Sequence, residues 1–183
     1  MIYKKNLKYI SSFSIILLVI LWILDINQPK LLNNIQNNTQ NNDSYEINGF
    51  FFALDGDSLR KKGAEIRLLK IDAPEYKQTC FDKNNKEYKC GEISSKFLRQ
   101  LVKNKELNCK SKEKDIYDRY LAICYDGDKN INYEMVKNGM AIIYNIHDAS
   151  AELKLLEKTA RDNKIGIWQG KFLSPKEFRR LKK

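Results

Sequence analysis

The sequence predicts an α+β fold, mainly β: a small, twisted, partly closed barrel of five strands with about three helices packed on it, preceded by an N-terminal membrane-anchor or signal helix. Three observations lead there. From residue 46 onward, short runs rich in aromatic and branched residues recur between turn formers, as strands do. Segments whose apolar residues fall at helical spacing interrupt them. At the N-terminus, residues 13–24 (F-S-I-I-L-L-V-I-L-W-I-L) form an apolar run without a polar face.

That first run is preceded by Lys4, Lys5 and Lys8, and the first charge after it is Asp25. Positive residues stay on the cytoplasmic side, so the rest of the chain is expected outside the cytoplasm. No small-x-small cleavage site follows Leu24, and no Cys is placed to carry a lipid. This favours an uncleaved signal anchor at 1–26, with secretion as the alternative if the segment is cleaved. Residues 27–44 are dominated by Asn and Gln. They cannot bury enough apolar surface to offset their chain entropy and read as a disordered tether, which starts the folded domain at residue 45.

Within 45–183, residues 46–54 read as a strand that Asp55 and Gly56 end. A hairpin follows: residues 58–60 lead into Lys61-Lys62-Gly63, and residues 64–72 form a longer strand that stops before Pro74. Residues 91–102 carry Ile93, Phe97, Leu98, Leu101 and Val102 at helical spacing, an apolar stripe for the core. Strands are expected near 106–110 and 120–125, around a polar connection. A helix from Asn132 should end at Gly139, another should cover roughly 149–163, and Ser174-Pro175-Lys176-Glu177 has the chemistry of a helix start. The order β-β-β-α-β-β-α-α suits a barrel of the OB type. A second acidic phrase, Asp126-Gly127-Asp128, begins like a calcium loop, but Ile131 and Lys137 stand where such a loop needs Gly and Glu, so it reads as a hairpin turn.

Composition narrows the chemistry. A formal charge of +10 makes polyanions the expected partners. The single histidine, His147, lies in a polar connection and has no nucleophile or ligand pattern near it, which argues against histidine-based hydrolysis. Carboxylates and arginines remain. Asp57, Asp72 and Glu75 with Arg67 and Arg119 are the parts needed to hold a hard divalent cation beside a phosphodiester. Arg67 and Asp72 are five residues apart, which strict strand alternation would put on opposite faces, so their convergence requires a bulge or bend, expected at Asp72-Ala73-Pro74. The four cysteines suit an oxidising compartment; pairing Cys80 with Cys90 and Cys109 with Cys124 is one of three connectivities. A four-thiolate zinc site is the rival, but no C-x2-C knuckle is present.

Five phrases, in order, resemble the staphylococcal nuclease (thermonuclease) family: Asp55-Gly56-Asp57; the run from Ile66 to Glu75; Asp115, Tyr117 and Arg119; Asn132 through Gly139; and Ala160 to Trp168. Together they cover about residues 46–170. The resemblance implies an OB-type barrel with three helices, a bound calcium ion, and cleavage of DNA and RNA phosphodiesters. It implies Asp57, Asp72 and the Ala73 backbone carbonyl as calcium ligands, and Glu75 as the acid that positions or deprotonates water. Arg67 and Arg119 match the phosphate-gripping arginines, and Tyr117 a tyrosine that contacts a nucleotide phosphate. The cysteines look like those of an exported, disulfide-bearing branch.

Departures from the family pattern leave every one of these groups in place. Asp118 stands where Gly is frequent, in a position that requires a left-handed backbone; Ile116 replaces a common basic residue and Ala73 a common Thr. The expectation is a calcium-dependent nuclease acting on DNA or RNA, with single-stranded or denatured substrate favoured. It should be monomeric and held at the membrane by its N-terminal segment. The alternative is a non-catalytic nucleic-acid-binding module tethered in the same way.

Overall fold

A computed structural model describes residues 44–182. The expected anchor and all but the last residue of the expected tether lie outside the described residues. No helix among the described residues is long and apolar enough to cross a membrane. Strands β1 (Tyr45–Phe50), β2 (Phe52–Ala53), β3 (Ser58–Lys61), β4 (Ala64–Leu68), β5 (Ile71–Asp72), β6 (Cys80–Phe81) and β7 (Glu87–Tyr88) precede helix α1 (Cys90–Val102). Then come β8 (Glu106–Lys114), β9 (Tyr120–Asp126), β10 (Lys129–Asn130), α2 (Ile131–Lys137), β11 (Ile142–Ile143), α3 (Ala151–Asp162) and α4 (Pro175–Leu181).

The fold is α+β and mostly sheet. Seven strands make one curled half-barrel, ordered β1-β8-β9-β4-β3-β2 with β10 added beside β9. Only β4 and β9 run parallel within it. Leu59, Ile66, Leu68, Leu98, Leu107 and Met135 fill its interior. Helices α1 to α3 are the three expected; α4 is a fourth among the described residues, and its start at Ser174 has the capping box the sequence announced. The β3–β4 and β9–β10 hairpins turn where expected, at Lys62-Gly63 and Gly127-Asp128. Both disulfides are present, Cys80–Cys90 and Cys109–Cys124.

Two details differ from expectation. In α1 the buried face is Ser94, Ser95, Leu98 and Val102, whereas Ile93 is 45% exposed. Small serines let the helix approach closely, and the Ser94 hydroxyl donates to the Met140 carbonyl at 2.7 Å. The long strand ending at Asp72 is also broken, but earlier than expected. The break is at Leu69 and Lys70, where Lys70 takes φ +72, and not at Asp72-Ala73-Pro74.

Buried Asn132, at the start of α2, holds that break. Its Nδ2 donates to the carbonyls of Leu69 (2.9 Å) and Ala122 (3.1 Å), and its Oδ1 accepts from the Cys124 N–H at 3.1 Å. After the break, β5 leaves the main sheet and pairs with β11, Asp72 opposite Ile142. Replacing Asn132 by Ala leaves the buried Cys124 N–H without its acceptor and the Leu69 carbonyl without its donor, while the Ala122 carbonyl keeps the Leu69 N–H; each group left unmet costs about 1–3 kcal/mol. Urea denaturation of Asn132→Ala should therefore show a loss on the order of 3 kcal/mol. A loss within the scatter of a surface substitution would mean the break is held by something else.

Candidate active site

The loop from Asp55 to Asp57 begins the site. Asp57 N–H donates to Asp55 Oδ1 at 3.0 Å, a side-chain turn that aims the Asp57 carboxylate inward. Gly56 allows the loop to lie on α1, because a Cβ there would overlap Ser94 and Ala73. Ser58 sits opposite Arg67 in the β3–β4 ladder, and Leu68 N–H donates to the Asp57 carbonyl at 2.8 Å. Asp57 and Arg67 are thereby adjacent.

The strand break adds Asp72. Arg67 Nη1 donates to Asp57 Oδ1 at 2.6 Å and Nη2 to Asp72 Oδ1 at 2.9 Å. Arg67 and Asp72, which alternation would separate, are in direct contact, and Asp57 shares the same guanidinium. Ala73 N–H closes the arrangement by donating to Asp57 Oδ2 at 2.9 Å.

Glu75 lies in the next turn, fixed by groups the sequence did not single out as functional. Its N–H donates to Oε1 of buried Gln78 at 3.1 Å, and Gln78 N–H donates to the Glu75 carbonyl at 2.7 Å. Gly91 in the first turn of α1 is pressed against that carbonyl, which any Cβ would overlap. The Cys80–Cys90 bridge ties both ends of the intervening segment together.

On the other wall, the β8–β9 connection is organised by Asp115. Its Oδ1 accepts from the N–H groups of Tyr117 (2.9 Å) and Arg119 (3.0 Å), and its Oδ2 from Arg119 Nε at 2.8 Å. Asp118 takes φ +64, the left-handed conformation expected for it. Arg119 stacks 5.6 Å from the Tyr117 ring, and that ring is 74% exposed. His147 is exposed in a short 3-10 turn, Ile146–Asp148.

Asp57, Arg67, Ala73, Glu75, Tyr117 and Arg119 all line one cleft of about 930 Å³. Asp72 is almost fully buried and does not line the cleft itself; it sits behind Arg67 and is bonded to it. One further cation enters that sequence reasoning missed, Arg179 of α4. Its Nη1 donates to Asp72 Oδ1 (3.0 Å) and Glu75 Oε1 (2.7 Å), and its Nη2 to Asp72 Oδ2 (2.9 Å). The available signal was helical spacing after a clear cap: Lys176, Arg179 and Arg180 share a face, and all three line the cleft.

Electrostatics make the floor unusual. Burial, reinforced by Asp55 and Asp72, outweighs Arg67 and the Ala73 N–H and pushes the Asp57 carboxyl up to about 7. Burial also opposes the Arg67 charge, but Asp57 and Asp72 hold it above the usual guanidinium range. Across the cleft, burial opposes ionisation of Asp115, yet the Arg119 side chain and the N–H groups of Arg119 and Tyr117 keep it below the usual carboxylate range.

A hard divalent cation fits this donor chemistry. No three acidic, His or Cys side chains among the described residues converge as a finished cage. Two buried carboxylates, however, share the Arg67 guanidinium where burial makes negative charge costly, and such an ion draws its remaining oxygens from carbonyls and water.

Residues 65–170 match the sequence model of a family described as "Staphylococcal nuclease homologue". An "Uncharacterized endonuclease" of Haemophilus influenzae is 35% identical over 135 residues, 70% of this chain and 70% of that one. One of the same description from Escherichia coli O157:H7 is 34% identical over 120 residues, 63% of this chain and 72% of that one. A "Succinoglycan biosynthesis protein ExoI" of Rhizobium meliloti is 30% identical over 122 residues, 63% of this chain and 61% of that one.

The Asp57 pKa makes stability depend on pH. A carboxyl whose folded pKa exceeds the unfolded value contributes stability below the unfolded value and loses it as pH rises through the folded one. In chelator, the stability of the wild type relative to Asp57→Asn, which stays neutral, should fall from about pH 4 to about pH 7 and then level off. A difference independent of pH in paired denaturation series would show that Asp57 ionises normally.

Proposed function

The chain belongs to the staphylococcal nuclease homologue family, and on that premise we propose that it is a calcium-dependent nuclease. It would hydrolyse phosphodiester bonds of DNA, RNA or both, outside the cytoplasm, on a barrel of the OB type. The observation that carries this reading is that Asp57, Arg67 and Glu75 line one cleft whose other wall bears Arg119, with buried Asp72 bonded to Arg67 directly behind it.

A phosphodiester resists hydrolysis because its negative charge repels a nucleophile, and further charge gathers on its oxygens in the transition state. Arg119 faces this demand with a guanidinium whose orientation Asp115 already sets, so little reorganisation remains when phosphate arrives. Arg67, held between Asp57 and Asp72, is equally preorganised and can turn its remaining N–H groups to phosphate. Glu75, on its rigid turn, would orient or deprotonate the attacking water. Asp57 and Asp72, with the Ala73 carbonyl, would hold the calcium ion, which when bound supplies positive charge to a phosphoryl oxygen. Exposed Tyr117 at the mouth would contact the nucleotide, and Lys70, Lys114, Lys176 and Arg180 make the walls attractive to a polyanion.

Export is supported by the two disulfides, which persist in oxidising compartments, and by the basic-then-apolar N-terminal sequence. The apolar run would keep the enzyme at the membrane, the Asn/Gln-rich stretch giving the domain reach.

On denatured DNA with calcium, Arg67→Ala and Arg119→Ala should each lose about a hundredfold or more in rate, the scale for losing a charge-stabilising donor. A chelator should abolish activity in the wild type. Undiminished cleavage by either variant, or by the chelated enzyme, would reject the assignment.

A further inference from the structure

We propose that Arg179 is an internal counter-cation of the acidic cleft, occupying Asp72 and Glu75 in place of a divalent ion, and that ion binding releases helix α4. This rests on the metal-dependent reading above, and adds to it a latch carried by the chain itself.

The contacts specify the role. Arg179 takes both oxygens of Asp72 and one oxygen of Glu75 in a forked arrangement, with all three distances between 2.7 and 3.0 Å. Asp72 Oδ1 already accepts from Arg67, so its lone pairs face two guanidiniums at once. A divalent ion bound by Asp72 would need those same oxygens. It would also stand against the Arg179 charge at a distance where repulsion is large away from bulk water. The two cations therefore compete for one position. The same fork holds the carboxylate of Glu75, the group proposed to handle water.

Helix α4 is built to leave. Among its residues only Pro175 is buried, and Leu181 at its far end is 69% exposed. Pro175 and half-buried Phe178 give the helix a small apolar footing, and the Arg179 side chain makes three hydrogen bonds from it to the cleft carboxylates. The Ser174–Glu177 capping box is internal to the segment, but seven residues are too few to stay helical without packing, so release opens the helix amides to exchange. Just before the cap, Gln78 Nε2 donates to the Leu173 carbonyl at 2.8 Å, a fixed point about which the helix can turn. Gln78 is also the residue that fixes the Glu75 turn, so the pivot and the acid share one support. The helix lies beyond residues 65–170, the segment that matches the family model.

A ligand that binds only the released form has its apparent affinity reduced by the released fraction. Removing the Arg179 charge removes that penalty. Calorimetric titration of calcium alone into the full chain, stripped of metal and held in detergent, should show about tenfold or tighter binding by Arg179→Gln than by the wild type. Arg179→Lys keeps the charge without the fork, and should fall between them. In hydrogen–deuterium exchange, calcium should raise exchange of residues 174–181 in the wild type, whereas in Arg179→Gln exchange there should be high before calcium is added. Equal or weaker affinity in Arg179→Gln overturns the latch while leaving calcium binding intact. Exchange at 174–181 that calcium does not alter overturns release of the helix. Absence of calcium binding in all three proteins overturns the metal-dependent reading and the latch with it.

Discussion

One kink in one strand makes the cleft possible. Between Leu68 and Ile71 the chain leaves its ladder, with Lys70 in a left-handed conformation, and Arg67 and Asp72, which would have faced opposite ways, come into contact, with Asp57 on the same guanidinium. The kink costs backbone conformational energy and would leave carbonyls unpaired. Asn132 meets the second of these: its amide joins Leu69, Ala122 and Cys124 just beyond the last rung between the strands, the Leu69 N–H to Ala122 carbonyl bond. Helix α2 is thus coupled to the geometry of a site that it does not touch. The same coupling explains why the Cys109–Cys124 bridge is useful here, since it fixes the strand that carries the Asn132 partner.

Charge balance is the second constraint. Asp57 and Asp72 are nearly sequestered from water, and such groups persist only when cations or hydrogen bonds compensate them. Arg67 serves both, yet burial still pushes the Asp57 carboxyl up to about 7. Arg179 completes Asp72 and reaches Glu75, while Arg119 keeps a private partner in Asp115 on the opposite wall. The arginines therefore divide between those that hold the floor and the one that waits at the wall. A site poised in this way responds to any cation or anion that enters it, which is the physical content of the proposed chemistry.

Much of this was legible in the sequence because it is local. The Lys62-Gly63 turn, the Ser174 capping box, the left-handed Asp118 and the stripe through Leu98 and Val102 all follow from a few neighbouring residues. The need for a bend between Arg67 and Asp72 was also readable, from their spacing alone. Its position was not, because Leu69 and Lys70 have no turn-forming character and the break is imposed by Asn132, some sixty residues away in the chain. Arg179 escaped for the same reason: its partners Asp72 and Glu75 are over a hundred residues distant, and local spacing announces only a basic helix face. Ser94 and Ser95 replaced Ile93 on the buried face of α1 because close approach to Met140 rewards small side chains over apolar ones.

The central claim is that groups on both strands of the kink act on one phosphodiester as a unit. Residues that act together lose activity non-additively when removed together. The most direct measurement is a double-mutant cycle on the hydrolysis rate of single-stranded DNA, comparing wild type, Arg67→Ala, Glu75→Gln and the double variant. The account predicts that the double variant is hardly slower than the worse single one. Strictly multiplicative losses, as for two independent sites, would contradict it.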